Sequence, residues 1–152
     1  MLMVLFHLGD SRYALPVTDV IEVTPRVELE SIAHTPDYVA GLFNYRGQHV
    51  PVIDLCCALH RQPCPDSFTS RIILVEFPLQ GGETRILGLL AARVTETLDI
   101  DPDSFVATGL NMAQAPCLGR AAHTRHGLVQ QVKISDLLPA SVQANLFPAE
   151  AG

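Results

Sequence analysis

The chain has 152 residues, of which 48% are hydrophobic and only 17% are charged. A chain of this length forms one domain or two small subdomains with a common core, and it can fold without disulfides or metal ions. Ten lysine and arginine residues stand against sixteen aspartate and glutamate residues, giving a net charge of −6. This balance speaks against a surface that tracks phosphates, so we expect no nucleic acid among its partners.

The sequence contains no apolar run of the roughly 18 residues that a membrane-spanning helix needs. Its apolar opening has no basic leader and no small-residue cleavage site, so it is interpreted as a first strand and not as a signal peptide. Cys56 and Cys57 are adjacent, and Cys64 and Cys117 do not complete a secreted-type framework. We therefore expect a cytoplasmic protein with reduced thiols and no membrane insertion.

Short alternating or β-branched runs, separated by turn residues, recur along the chain and indicate an all-β protein. Ten strands are predicted, at residues 2–8, 13–17, 20–23, 41–45, 48–53, 71–77, 85–91, 93–100, 116–122 and 128–133. Short helical turns are predicted at 35–39 and 55–59 and a loop at 110–115. A terminal helix is predicted to begin either after Ser135 or, past Pro139, after Ser141.

Two segments share the pattern Val-Thr-acid-x-aliphatic-acid-aliphatic, and they begin 77 positions apart, at residues 17–23 and 94–100. The match favours two related halves, while convergence of strand patterns explains so short a match equally well. Ten strands are more than one tight barrel holds. We expect residues 1–147 to form one domain of two β-barrel subdomains, followed by a disordered tail at 148–152.

No enzyme signature is present: the motifs G-x-S-x-G, G-x-x-x-x-G-K, G-x-G-x-x-G and H-E-x-x-H are all absent. We expect no catalytic residues and no cofactor. Metal-ligand residue types occur in two groups, one with Cys56, Cys57, His60 and Cys64, the other with Cys117, His123 and His126. Adjacent cysteines point poorly at one ion and no C-x-x-C pair exists, so no metal is expected. The cysteine cluster at 56, 57 and 64 supports an alternative function, a thiol- or metal-dependent sensor.

A predicted hairpin over residues 38–55 places Arg46 at its tip, between two apolar runs. Gly47 supplies the positive φ that a tight turn requires. An arginine at a hairpin tip is not a core residue. Its guanidinium is therefore either solvated or available for a bidentate or stacking contact with a partner.

At this hairpin the sequence resembles the CheW family of chemotaxis adaptor proteins. The most specific match is the block GLFNYRGQHVPVIDL at residues 41–55; further matches are LFHLG, YALPV, VIEV, TPDYV, RIILV, ILGLLAARV and the closing LL at 137–138. The chain departs from the family pattern at Tyr45, where leucine is common, and at Ala92, where aspartate is common. Without that aspartate, the local salt bridge that the resemblance implies is not expected here, and the resemblance implies that Tyr45 beside the tip bears on which receptor is accepted.

The resemblance implies two five-stranded SH3-like barrels that share an apolar core, with short helices including a C-terminal one. It also implies a non-enzymatic scaffold that joins chemoreceptor cytoplasmic tips to the regulatory domain of a CheA-type histidine kinase. The receptor-facing groove would lie around Val20, Glu22, Gly41, Asn44, Arg46 and Gly47. A kinase-facing apolar patch would lie on the other barrel, near the strand that holds Ile72 and Ile73.

The surface chemistry favours an adaptor independently of this resemblance. A charge-poor surface with aliphatic strands implies exposed apolar patches, and such patches usually mark partner surfaces. Small barrels with open edges can also pair with a homologous barrel or with one another. The resemblance further implies recruitment to membrane-associated receptor assemblies, and it leaves self-association into rings or arrays open.

Overall fold

Strands dominate the computed structural model, which describes residues 1–62, 64, 70–79, 81–94, 96–109 and 117–147. Two short helices accompany them, α1 at Leu55–His60 and α2 at Ala140–Leu146. The strands within these residues are β1 Leu2–Leu8, β2 Ser11–Pro16, β3 Val20–Pro25, β4 Val39–Tyr45, β5 Gln48–Asp54, β6 Arg71–Pro78, β7 Thr84–Ala91, β8 Glu96–Asp99, β9 Val106–Ala107, β10 Arg120–Thr124 and β11 Gly127–Gln131. Neither helix is long and apolar enough to cross a membrane.

The strands form two sheets, and the N-terminal hairpin belongs to the sheet that holds the C-terminal strands. The five-stranded sheet has the order β3-β6-β7-β5-β4, and the six-stranded sheet has the order β8-β1-β2-β11-β10-β9. The sequence therefore predicts the all-β class correctly. The expected second group of five strands is a group of six, because the two-residue strand β9 is added at its edge.

Both sheets follow the same pairing scheme, which the sequence similarity between residues 17–23 and 94–100 anticipates. In the five-stranded sheet, β3 pairs antiparallel with β6, β6 antiparallel with β7, β7 parallel with β5, and β5 antiparallel with β4. In the six-stranded sheet, β8, β1, β2, β11 and β10 repeat this series in the same order. The two sheets are thus related by a circular permutation, with β3 corresponding to β8.

Strand β1 is apolar on both faces because it contributes to two cores. Met3 and Leu5 join the interior of the six-stranded sheet, together with residues of β2, β8, β10 and β11. Val4, Phe6 and Leu8 face a larger cluster that also contains the buried residues of β5, β6 and β7. This larger cluster is the shared apolar core that the resemblance implies, and it holds the two sheets together through burial of aliphatic and aromatic surface.

The predicted helices and turns agree with the structure only in part. Helix α1 lies where a helical turn was predicted, whereas residues 35–39 form only a turn, in which the Val39 N–H donates to the Pro36 carbonyl at 3.0 Å. Helix α2 begins after Pro139 with no side-chain cap, so neither serine caps it. Ser135 instead lies in a short 3-10 turn. The predicted loop at 110–115 and the predicted tail at 148–152 lie outside the described residues.

Candidate functional site

The β4–β5 hairpin ends in a two-residue loop, Arg46-Gly47, flanked by the facing pair Tyr45 and Gln48. Both loop residues have positive φ, 51° for Arg46 and 83° for Gly47, as a type I′ hairpin turn requires. The Asn44 side chain supports the loop, since its Oδ1 accepts a 3.1 Å hydrogen bond from the Gly47 N–H. A non-glycine residue in this conformation costs about 1–2 kcal/mol. The turn therefore presents its arginine at a conformational cost that glycine or asparagine would reduce.

Three side chains meet beside this loop and define what we call the Arg46 tip: Glu22, Tyr45 and Arg46. The Tyr45 hydroxyl donates a 2.7 Å hydrogen bond to Glu22 Oε2. Arg46 Nη2 lies 3.6 Å from the same carboxylate oxygen, and its guanidinium carbon lies 5.0 Å from the centre of the Tyr45 ring. The Arg46 side chain is 77% exposed, so its contact with Glu22 leaves donors free for another molecule.

Charge and hydrogen bonding at the Arg46 tip change the pKa of the Tyr45 phenol. The hydrogen bond to Glu22 is the main factor that raises the pKa of Tyr45, while the positive charge of Arg46 opposes it. The ring also stacks near Phe43, at 6.1 Å between ring centres. Tyr45 is thus the residue that orders the tip. Sequence reasoning noticed it only as a departure from a family pattern; the signal for its role is an aromatic residue directly before an exposed arginine.

The six residues expected in the receptor-facing groove do not play one role. Asn44, Arg46 and Gly47 are exposed at the loop, and Glu22 is partly exposed beside it. Val20 is half-buried and packs against the shared core. Gly41 is buried, and the backbone of Leu42 next to it exchanges hydrogen bonds with Glu30 at 2.7 and 3.1 Å.

Gly41 has a structural role that its surroundings explain. Its φ is 147°, and a Cβ atom at this position would lie 2.4 Å from the Glu30 carbonyl oxygen. Only glycine allows this close approach of the segment before β4. Gly41 therefore shapes the strand that carries the tip and does not itself present a side chain to a partner.

The predicted positions of Ile72 and Ile73 need correction. Both side chains are fully buried in the shared core, so neither forms a surface patch. Strand β6, which holds them, lies between β3 and β7 in the same sheet as the Arg46 tip, and not in the other barrel. The large hydrophobic side chains that are exposed near this sheet are Ile21, Val23 and Val27, on β3 and just after it.

The expectation of reduced thiols is also contradicted, because Cys56 and Cys64 form a disulfide. Cys57 and Cys117 are free. Asp54 joins the two ends of the bridged segment: its Oδ1 accepts from the Cys57 N–H at 3.1 Å and its Oδ2 from the Cys64 N–H at 3.0 Å. This carboxylate caps α1, which explains why a buried aspartate is tolerated there.

The metal-ligand groups noted in the sequence do not assemble as such. Among the described residues, the one set of ligand atoms close enough for an ion is that of Asp54, Cys56 and Cys64. Its sulfurs are bonded to each other, and its carboxylate is occupied by backbone donors. His60 instead lies 2.8 Å from the Tyr13 hydroxyl, and His126 lies 3.8 Å from Glu96 Oε1.

The two curled sheets with a common core, and the exposed cationic tip on one of them, define a β-barrel protein whose surface site suits contact with another macromolecule. Residues 2–142 match the sequence model of the CheW-like domain, and the chain belongs to this family. Its proteins are non-enzymatic scaffolds of chemotaxis with an SH3-like β fold, and the thiol- or metal-sensor alternative is not favoured.

Individual relatives agree with this assignment. The chain is 29% identical over 102 residues to the chemotaxis protein CheW of Helicobacter pylori, covering 64% of this chain and 59% of that protein. It is 29% identical over 101 residues to CheW of Klebsiella aerogenes, covering 66% and 58%. The match therefore spans less than two thirds of the length of these relatives. The crystal structure of the scaffolding protein TtCheW from Thermoanaerobacter tengcongensis superimposes with a TM-score of 0.80 and 29% identity, over 93% of this chain and 89% of that one.

Proposed function

We propose that this chain couples chemoreceptor cytoplasmic tips to the regulatory domain of a CheA-type histidine kinase, as a non-enzymatic adaptor. It would act in the cytoplasm and be recruited to membrane-associated receptor assemblies. Family membership supports the chemotaxis scaffold role, and the geometry of the Arg46 tip supports a protein-binding role for this face. The proposal adds to this family role that the chain binds two partners, a chemoreceptor and a kinase, and couples them.

The observation that carries the receptor side is the conformation of Arg46. An exposed arginine at positive φ, ordered by a carboxylate on one side and an aromatic ring on the other, is costly to keep unless its side chain is used. Its guanidinium can bind a carboxylate in a bidentate manner or stack on a planar group of a partner. We propose that Arg46, Asn44, Gly47 and Glu22 contact the receptor tip directly.

Val20 and Gly41 support the proposed receptor-facing groove from the interior side of the five-stranded sheet. Val20, the first residue of β3, packs its half-buried side chain against the shared core, and Gly41 allows the chain before β4 to cross closely. We propose that these two residues fix the shape of the groove, while specificity comes from the charged and polar groups at its rim.

The kinase side is proposed on the five-stranded barrel as well, near β6 but not through its buried isoleucines. The exposed aliphatic side chains Ile21 and Val23 stand on β3, the strand that pairs with β6. A few well-packed side chains supply most of the binding energy in many interfaces, and exposed apolar side chains often mark such surfaces. We propose that they belong to the surface that the kinase regulatory domain covers.

Co-elution of three purified proteins tests the proposal. The chain is mixed with a kinase regulatory domain and a receptor tip fragment from the same genome and passed over a sizing column. We expect one complex that contains all three proteins. When the chain is left out, the kinase domain and the receptor fragment should elute separately or as a less stable complex. Failure of the chain to bind either partner would contradict the proposed function.

A further inference from the structure

The shared pairing scheme of the two sheets gives the β4–β5 hairpin a counterpart in the β10–β11 hairpin. Both hairpins end in two-residue loops, because Tyr45 faces Gln48 in one and Thr124 faces Gly127 in the other. The first loop residue is an arginine in each case, Arg46 and Arg125, and both are exposed. The molecule therefore presents two arginine-tipped hairpins at corresponding places of its two barrels.

The second tip also contacts the edge strand that corresponds to β3. His126 Nε2 lies 3.8 Å from Glu96 Oε1 on β8, much as Arg46 reaches Glu22 on β3. The loop is ordered locally: the His126 N–H donates to Thr124 Oγ1 at 3.0 Å, and this hydroxyl donates to the Gly127 carbonyl at 3.0 Å. Arg125 Nε donates to His126 Nε2 at 3.3 Å.

Further positive charge gathers around this second tip. A Cβ atom on Gly127 would lie 3.3 Å from Arg12 Nη1, so the Arg12 guanidinium covers the start of β11. Arg12 faces His7 across the β1–β2 pair, and the backbone N–H of His7 donates to the carbonyl of Ala92, next to Arg93. The pKa of His7 is lowered chiefly by its burial; a hydrogen bond with the backbone of Arg93 and the charge of Glu96 raise it, and the charges of Arg93 and Arg12 lower it.

The charges at this end of the six-stranded sheet are not balanced from within. Arg12, Arg93 and Arg125 form no ion pair within the described part of the chain, and the acidic side chain beside the loop, Glu96, lies 3.8 Å from His126 Nε2, the atom that accepts from Arg125. The chain as a whole carries a net charge of −6 with only ten basic side chains. A local excess of unpaired arginine on such a protein produces a field that attracts an acidic partner.

We propose that the Arg125 hairpin tip, with Arg12 and Arg93 beside it, is a second protein-docking site whose occupant is an acidic segment of a partner protein. The proposal rests on the adaptor function, because an adaptor needs separate surfaces for separate partners. Arg125 and Arg93 supply bidentate donors for carboxylates. Leu128, which is exposed on β11 two residues after the loop, adds an apolar contact at the rim.

A titration of the ¹⁵N-labelled chain with a glutamate-rich synthetic peptide tests this site. We expect saturable shifts of the amides at 124–128, which weaken as salt is raised, and about tenfold weaker binding by Arg125→Glu. Arg120→Glu is the matched control, because Arg120 is exposed at the far end of β10, the strand that leads into the loop. Binding of the peptide by this variant should change little. Equal losses in both variants, shifts spread over the whole surface, or no binding would each overturn the proposal.

The Arg46→Glu variant separates this site from the adaptor function. It should bind the glutamate-rich peptide at 124–128 as the unaltered chain does, while losing the receptor tip fragment. If Arg46→Glu and the unaltered chain bind the receptor fragment equally, the Arg46 tip is not the receptor site; if neither binds it, the proposed function is wrong, whatever the peptide titration shows. If only the peptide titration fails, the second docking site alone is wrong.

Discussion

The Tyr45 hydroxyl donates a 2.7 Å hydrogen bond to Glu22, and this contact links β4 to β3, the two edge strands of the five-stranded sheet. Side chains at opposite edges of a sheet can meet only if the sheet curls toward closure. The same contact holds the aromatic ring and the carboxylate on either side of Arg46. One hydrogen bond therefore joins the closure of the barrel to the geometry of its exposed site.

Replacing Glu22 should lower the pKa of Tyr45. The hydrogen bond to the carboxylate stabilises the protonated phenol, so removing the acceptor charge with Glu22→Gln moves the pKa of Tyr45 down toward its usual value. A pH titration of the tyrosine ring resonances measures this, with Tyr45→Phe to assign the signal. Glu28→Gln, at another exposed glutamate, serves as the control. An unchanged pKa in Glu22→Gln would show that the contact does not persist in solution.

Gly41→Ala should destabilise the fold by about 2–3 kcal/mol, because the new Cβ meets a backbone carbonyl that cannot move without breaking the contact between Glu30 and Leu42. Gly9→Ala is the control. Gly9 also has positive φ, 60°, but nothing lies within 4 Å of the Cβ position, so only about 1 kcal/mol is expected. Urea unfolding measures both, and equal losses would contradict the close approach at Gly41.

Charge placed at Ile73 should unfold the protein, whereas charge at Ile21 should not. Ile73 is 0% exposed and Ile21 is 40% exposed. An unpaired carboxylate in the shared core costs about 4 kcal/mol or more, so Ile73→Asp loses its cooperative melting transition. Ile21→Asp should keep its transition within a few degrees and lose affinity for the kinase regulatory domain. A folded Ile73→Asp protein would place β6 differently from this structure.

These results show which features a single sequence reveals. The hairpin at Arg46 and most strand positions follow from local alternation and turn residues, which act over a few positions. Which sheet β1 joins, and that Ile72 and Ile73 are buried, depend on pairing between distant strands. The similarity between residues 17–23 and 94–100 is the one feature of the sequence that points to the relation between the two sheets.

Two local features were missed for different physical reasons. The positive φ of Arg46 follows from the type I′ turn, in which both loop residues adopt this conformation, whereas the sequence analysis assigned it to Gly47 alone. The disulfide of Cys56 with Cys64 depends on how the chain returns after α1, where Asp54 binds both ends of the segment. Spacing between cysteines does not determine that path.

Thiol labelling should find two free cysteines before reduction and four after it. Burial raises the pKa of the Cys117 thiol to about 11 and raises that of Cys57 less, so Cys57 should react first with a maleimide at mildly alkaline pH. Mass spectrometry of peptides identifies the labelled sites. Cys57→Ser is the control and should remove the fast phase. Four reactive thiols without a reductant would show that the disulfide is absent.

The affinity of the purified chain for a receptor tip fragment, measured by calorimetry, tests the central claim most directly. The Arg46→Glu variant should bind at least about 30-fold more weakly than the unaltered chain, as expected for an arginine anchor at an interface, with an unchanged melting temperature. Arg120→Glu carries the same change of charge elsewhere and should bind normally. If Arg46→Glu binds as tightly as the unaltered chain, or if both variants weaken binding equally, the Arg46 tip is not the receptor site.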